Sequence, residues 1–469
     1  MGSEHILDHF LKPDSVALFG SMREDWFFGA GVVIKDLKAL GYRGEIYPIH
    51  PSAESVCGIR VYRDVKDTPS TISLGVIITS YRYVSQILKA CASRGIRSVI
   101  VVSDGFGENG EEGTARQKEL LAIARDSGVR IIGPNTLGVY NPDDGFTTIP
   151  YEKGYARAIP GPLSIITQTG MYGPQAIGLN DYRFGINKII DLGNMCDINE
   201  TDCLEYLGSD PSTGVISCYL EHIYDPRRFL DVARRVSRDK PVLCLKAGRT
   251  AASAQAIASH TGSMAGDDAL YDALFHQAGI IRVEEYEDLL EYAKVFTLGL
   301  LPRGNRLGVI SLTGAIGIQC IDAAASSELV LGDLSPGSIQ KLSEINHTLG
   351  GHPIDLGPAS AMQGMDVLMF YTRSFDILME DENIDCIYLN LYISSYLTAD
   401  FYQEFLSHVR QHMAKPVVAW SYGPSNNSLR SLKETAENTG IPFLPTTFKA
   451  IRSLGHLARY ASWRRTLED

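Results

Sequence analysis

The chain has 469 residues, 45% of them hydrophobic and 21% charged, with a formal net charge of −12. This length exceeds one core and this balance is that of an ordinary globular protein, so two or three domains are expected. The negative charge argues against a nucleic-acid partner, which would call for clustered Lys and Arg, but leaves room for a small anion held by local dipoles.

The N-terminal Met1-Gly2-Ser3-Glu4-His5 lacks the charged-then-apolar pattern of a signal peptide. No apolar run reaches the roughly 18 residues of a membrane span. The eight cysteines, Cys57, Cys91, Cys196, Cys203, Cys218, Cys244, Cys320 and Cys386, form no Cys-x-x-Cys pair and read as buried thiols. A cytoplasmic protein is expected, and no residues are singled out as metal ligands.

The first unit, 1–147, alternates strand-like runs at Val16–Phe19, Ile46–Ile49, Gly75–Ile78, Val99–Val102 and Arg130–Ile132 with helical segments, and Asn141–Gly145 reads as a loop at its end. Such alternation predicts βαβ units and a Rossmann-type parallel sheet. Gly20-Ser21 ends the first strand and Gly29 and Gly31 open the next helix, so phosphate could approach the backbone there. A full Gly-x-Gly-x-x-Gly is missing, and the second strand runs into His50-Pro51 without an acid to grip a ribose. Both points disfavour NAD and fit coenzyme A better.

The second unit, 148–300, repeats the pattern with strands at Leu163–Ile166, Lys188–Ile190, Val215–Leu220 and Val242–Leu245. The turn Thr167-Gln168-Thr169-Gly170 should open a helix, and its N–H groups make an anion site or, more plainly, a capped βα turn. Glu221 closes a strand, where a carboxylate can hold an imidazole Nδ1–H and leave Nε2 as nucleophile. His260 lies in Ser259-His260-Thr261-Gly262-Ser263, where Gly, Ser and Thr could converge on an anion. Taken singly, Glu221 reads as a solvated strand-end residue and His260 as a structural residue near a turn. The third unit, 301–469, has strands at Leu307–Ser311, Ile384–Asn390 and Pro416–Trp420.

Lys246-Ala247-Gly248-Arg249-Thr250, the His260 segment, Gln277-Ala278-Gly279-Ile280-Ile281-Arg282-Val283 and Glu287-Asp288-Leu289 closely resemble the phosphohistidine segment of ADP-forming (NDP-forming) acyl-CoA synthetases, relatives of succinyl-CoA synthetase. Ser15–Ser21, Tyr47–Pro51, Ser103–Phe106 and Gly133-Pro134-Asn135-Thr136-Leu137-Gly138 resemble that family's CoA-binding domain, although Ser52 stands where relatives often carry Lys. Leu312–Gly317 and His352–Leu356 resemble, with losses, its second flavodoxin-like domain.

The resemblance implies a Rossmann-type CoA-binding domain followed by two flavodoxin-like, succinyl-CoA synthetase-like α/β domains. It implies that His260 is phosphorylated and oriented by Glu221, with phosphate held by Thr169, Gly170, Gly262 and Ser263. CoA would be held at Gly20, Ser21, Met22, Ser80, Ser103 and Asn135. The implied reaction converts acyl-CoA, phosphate and ADP into the free acid, CoA and ATP. With neither a Gly-Lys-Ser/Thr loop nor a further block of ATP-grasp size, the chain is expected to be an α subunit of a hetero-oligomer, inactive until an ATP-grasp β subunit supplies ATP or ADP and Mg²⁺. A CoA-binding scaffold without catalysis, or a ligase or lyase variant on the same fold, are the alternatives.

Overall fold

Five apolar runs form strands β1 (Ser15–Gly20), β2 (Glu45–Ile49), β3 (Leu74–Ile78), β4 (Ser98–Val101) and β5 (Arg130–Ile132), paired in parallel in the order β2-β1-β3-β4-β5. Val16 and Leu18 pack with Ala30, Val33, Ile34 and Leu37, which recur at helical spacing along Ala30–Leu40. Ala17, Phe19 and Val99 alternate to the other core, shared with Leu88 and Leu120 of the helices Tyr81–Ser93 and Gly110–Ser127. Because both faces are covered, the strands read as continuous apolar runs instead of alternating ones.

The computed structural model describes residues 5–149, 159–170, 183–261, 267–361 and 366–467, with the backbone alone for 258–261. It divides into two units, Met1–Leu289 and Leu290–Asp469. The first unit holds a second sheet, made of β6 (Val139–Asn141), β7 (Phe146–Thr147), β8 (Pro160–Thr167), β9 (Ile186–Asp191), β10 (Val215–Leu220), β11 (Val242–Lys246) and β12 (Ile281–Arg282). Its order is β12-β11-β10-β8-β9-β6-β7, parallel as far as β9, with β6 antiparallel to β9 and β7 to β6. The loop expected around 141–145 is thus the turn of a hairpin on the second sheet, braced by Asn141 Nδ2 donating to Asp144 Oδ2 at 2.7 Å.

Caps fix where the helices start. Asn199 and Asp202 make a reciprocal capping box ahead of Glu200–Ser209, and Asp225 accepts from the N–H groups of Arg227 and Arg228 before Pro226–Asp239.

The second unit carries β13 (Arg306–Ser311), β14 (Val330–Leu331), β15 (Ile354–Asp355), β16 (Cys386–Tyr392) and β17 (Val417–Tyr422) in a parallel sheet ordered β14-β13-β16-β17, with β15 also on β13. Lys294 is buried there between Glu291 (2.8 Å) and Glu437 (2.7 Å), which compensates an ammonium that could not otherwise leave water. Among the described residues no helix is long and apolar enough to cross a membrane.

Candidate functional site

In the first sheet the connections diverge from β1 and β3, so a crevice opens at the carboxyl ends of these strands. A cavity of about 530 Å³ lies there. Ser21 follows β1, Ser80 follows β3, Ser103 follows β4 and Asn135 follows β5, and all four line it. Of the other expected CoA positions, Gly20 ends β1 at φ 148°, where a Cβ would sit 2.1 Å from the Ile78 carbonyl oxygen. Met22 does not line the cavity and packs instead against the apolar core.

The loop after β5 is held open by its own bonds. Asn135 adopts φ 58° and donates its N–H to the Ser103 carbonyl at 2.9 Å. Asparagine tolerates this left-handed conformation better than most residues. Ser103 Oγ accepts the Thr79 N–H at 3.3 Å, so the loops after β3, β4 and β5 are tied to one another.

The second sheet ends against the same cavity. Gly170 and Asp191 line it, and a Cβ on Gly170 would lie 2.8 Å from Leu137 Cγ. Thr167 Oγ1 accepts the Thr169 N–H at 3.1 Å, which shapes the expected phosphate turn. The buried Gln168 accepts the N–H groups of Glu221 and, at 3.1 Å, His222 through Oε1, while its Nε2 donates to the His222 carbonyl at 3.3 Å. Gln168 therefore fixes the backbone that carries Glu221. Register places Thr167 beside Tyr219 and Leu220 beside Lys246, so the Thr169 turn and Glu221 follow, and Lys246 ends, neighbouring strands at one edge.

The electrostatics of this edge follow from burial. Desolvation raises the Asp191 carboxyl to about 6, with the Glu221 charge adding to it and hydrogen bonds from Leu137, Gly193 and Thr136 opposing it. Burial, helped by the Lys246 charge, lowers His222 to about 4, so this imidazole is neutral at pH 7. Lys246 is itself lowered by burial; its Nζ donates to the Ala247 carbonyl and sits 4.4 Å over the Tyr271 ring.

Residue 260 lies in the helix Ala251–Thr261, but the His260 side chain, Gly262 and Ser263 lie outside the described residues. Thr250 and Ser253 cap that helix reciprocally at 3.0 and 3.2 Å, and Asp267 caps the next one. Sequence reasoning passed over Gln168, Asp191 and Asn194 as site residues. A strand-end acid leading into Leu192-Gly193-Asn194 was the available signal, since it mirrors the Gly-Pro-Asn turn it meets. In the second unit Thr313, Gly314 and Asp355 line a cavity of about 90 Å³. Among the described residues no cluster of His, Cys, Asp and Glu is arranged to hold a metal.

Comparison with known proteins gives these positions a context. Residues 14–142 match the CoA binding domain family, and residues 160–296 match the succinyl-CoA ligase like flavodoxin domain. Acetate–CoA ligase [ADP-forming] II of Archaeoglobus fulgidus is 32% identical over 96% of this chain and 66% of its own length. The α subunit of acetate–CoA ligase [ADP-forming] II of Pyrococcus furiosus is 33% identical over 81% of each chain. The solved acetyl-coenzyme A synthetase 1 of Ca. Korarchaeum cryptofilum, described as dinucleotide forming and in complex with phosphate and ADP, superposes with a TM-score of 0.89 at 27% identity, covering 98% of both chains.

These matches correct one expectation. The chain spans 66% and 64% of two Archaeoglobus relatives that are single polypeptides, so the part equivalent to this chain is fused there to further sequence. A separate ATP-grasp β subunit and an obligatory hetero-oligomer are therefore not called for. The physical reason is that the α-type domains look alike whether a nucleotide-binding region joins them by a peptide bond or by an interface.

Proposed function

Since the chain belongs to the family of ADP-forming acyl-CoA synthetases, acid–thiol ligases that use CoA, we propose that it interconverts acyl-CoA, phosphate and ADP with the free acid, CoA and ATP. The observation that carries this reading is the single cavity shared by Ser21, Ser103 and Asn135 of the first sheet and Gly170 of the second. A thioester held at the first edge lies open to an anion held at the second.

In this reading Gly20, Ser21, Ser80, Ser103 and Asn135 mark the CoA site, and Thr169, Gly170, Gly262 and Ser263 the phosphate site. Phosphate adds to the thioester carbonyl, the C–S bond breaks, and the thiolate leaves as CoA to give an acyl phosphate. His260 Nε2 then takes the phosphoryl group and releases the carboxylate. Glu221 holds Nδ1–H and balances the positive charge that develops on the ring. Gly170, which lines the cavity, meets the equatorial oxygens of the transferring group. Transfer of the phosphoryl group from His260 to ADP completes the proposed cycle.

We assign residues 1–147 to CoA binding, 148–300 to the phosphohistidine and 301–469 to a second ligase-CoA domain. A cytoplasmic location is supported by the eight free thiols, seven of them buried. The reading is tested by incubating the chain with acetyl-CoA and labelled inorganic phosphate, which requires no nucleotide. An acid-labile, base-stable label that disappears in His260→Asn is expected; label persisting in that variant would refute the phosphohistidine assignment.

A further inference from the structure

The segment Asp191–Ile198, which leaves β9 of the second sheet, runs alongside the loop after β5 of the first. Three main-chain N–H groups bond across: Asn194 to Pro134 (2.9 Å), Cys196 to Gly133 (3.1 Å) and Ile198 to Ile131 (3.1 Å). The approach is so close that a Cβ on Gly193 would lie 2.3 Å from the Pro134 carbonyl oxygen. One side chain of this segment then reaches both cavity loops. Asn194 Oδ1 accepts from Asn135 Nδ2 at 3.3 Å, while Asn194 Nδ2 donates to Glu108 Oε2 at 2.5 Å and Gln117 Oε1 at 3.0 Å.

Those two acceptors organise the loop that begins at Ser103. Glu108 Oε1 accepts the N–H groups of Gly105 (2.5 Å) and Phe106 (3.0 Å), and Gln117 Oε1 accepts that of Gly107 at 3.0 Å. Burial works against ionisation of Glu108, but these bonds and the one from Asn194 outweigh it and hold the carboxyl below its usual value. Glu108 is thus a carboxylate, and its second oxygen is an acceptor that needs the Asn194 donor.

We propose that Asn194 is a positioning residue for CoA, setting the Ser103–Phe106 and Gly133–Leu137 loops relative to each other, so that the CoA site is completed by the second sheet's segment. This rests on the reading of the cavity as the CoA site. Asn194 touches no reacting atom, so its removal alters cofactor affinity and leaves the phosphate turn after β8, which it does not bond, unchanged.

The test uses the whole chain and measures binding of CoA and of inorganic phosphate by titration calorimetry. Asn194→Asp puts a carboxylate against Glu108 Oε2, and Glu108→Gln puts one amide N–H₂ against another. Each should weaken CoA binding by about tenfold or more, the worth of a lost charge-assisted bond, with phosphate binding within about twofold of the parent. The double variant N194D/E108Q reverses donor and acceptor between positions 194 and 108 but leaves a carboxylate facing Gln117 Oε1, so it should regain part of the lost CoA affinity, a result that general unfolding cannot give. Unchanged CoA binding in Asn194→Asp, equal losses for CoA and phosphate, or no recovery in the double variant would each overturn the positioning role. If the unaltered chain binds no CoA, the cavity assignment itself falls and the role falls with it.

Discussion

Asp191 Oδ2 accepts the Leu137 N–H at 2.6 Å, and the Asp191 carbonyl accepts Thr136 Oγ1 at 2.5 Å, so the last residue of β9 is bonded twice to the loop that closes the first sheet. A carboxyl used this way is buried beside the cavity and titrates near 6, with desolvation as the main cause. Its protonation is therefore sensed where the two sheets meet.

The folded Asp191 value, about 6, stands above the ordinary 3.8, so the folded state holds this proton more tightly than the unfolded chain. Its contribution to stability is complete below about pH 4 and is lost as pH rises through about 6, on the order of 3 kcal/mol in all. The difference in unfolding free energy between the parent chain and Asp191→Asn should change across this range and level off above pH 7. A difference that is flat from pH 4 to pH 8 would show that the carboxyl does not titrate there.

Gln168→Leu removes the acceptor shared by the Glu221 and His222 N–H groups. It should cost about 1–3 kcal/mol in denaturant unfolding, the penalty for part-buried donors left unpaired. Turnover should fall further than stability explains, because the backbone that carries Glu221 loses its brace. Parent-like turnover in a folded variant would separate Gln168 from the site.

Glu221→Gln keeps the shape and removes the charge. If the carboxylate balances the imidazolium during transfer, turnover should drop by roughly 10², with the KM for CoA unchanged. A drop confined to the KM for CoA would place Glu221 outside phosphoryl transfer.

Gly193 has φ 52° and almost touches Pro134. Gly193→Ala should destabilise the first unit by about 2 kcal/mol or more, since strain and overlap act together. CoA affinity should fall with it, because the segment carrying Asn194 is pushed off the loop after β5. Thermal unfolding and CoA titration on one preparation check both.

The parallel α/β sheets were legible in the sequence from runs such as Val16–Phe19 and Val215–Leu220, because strands buried on both faces must be apolar throughout. The short strands β6, β7, β12, β14 and β15 were not, since two or three residues carry no period and are recruited by neighbours already in place. Ser21 was legible from the glycine turn that ends the first strand, while Ser80, Ser103 and Asn135 were implied by the family resemblance, and the fold gathers all four around one cavity. Gln168, Asp191 and Asn194 were illegible for the opposite reason. A polar residue at a strand end can face solvent or seal an interface with the same sequence, and only the meeting of two sheets at their carboxyl edges decides which. The sequence by itself thus determined the layered fold through local periodicity, and turn chemistry together with the family resemblance supplied the candidate positions. Tertiary structure alone decided that the loops after β3, β4 and β5 and the turn after β8 share one cavity, because that depends on hydrogen bonds such as Asn135 to Asn194, between residues 59 positions apart in the chain.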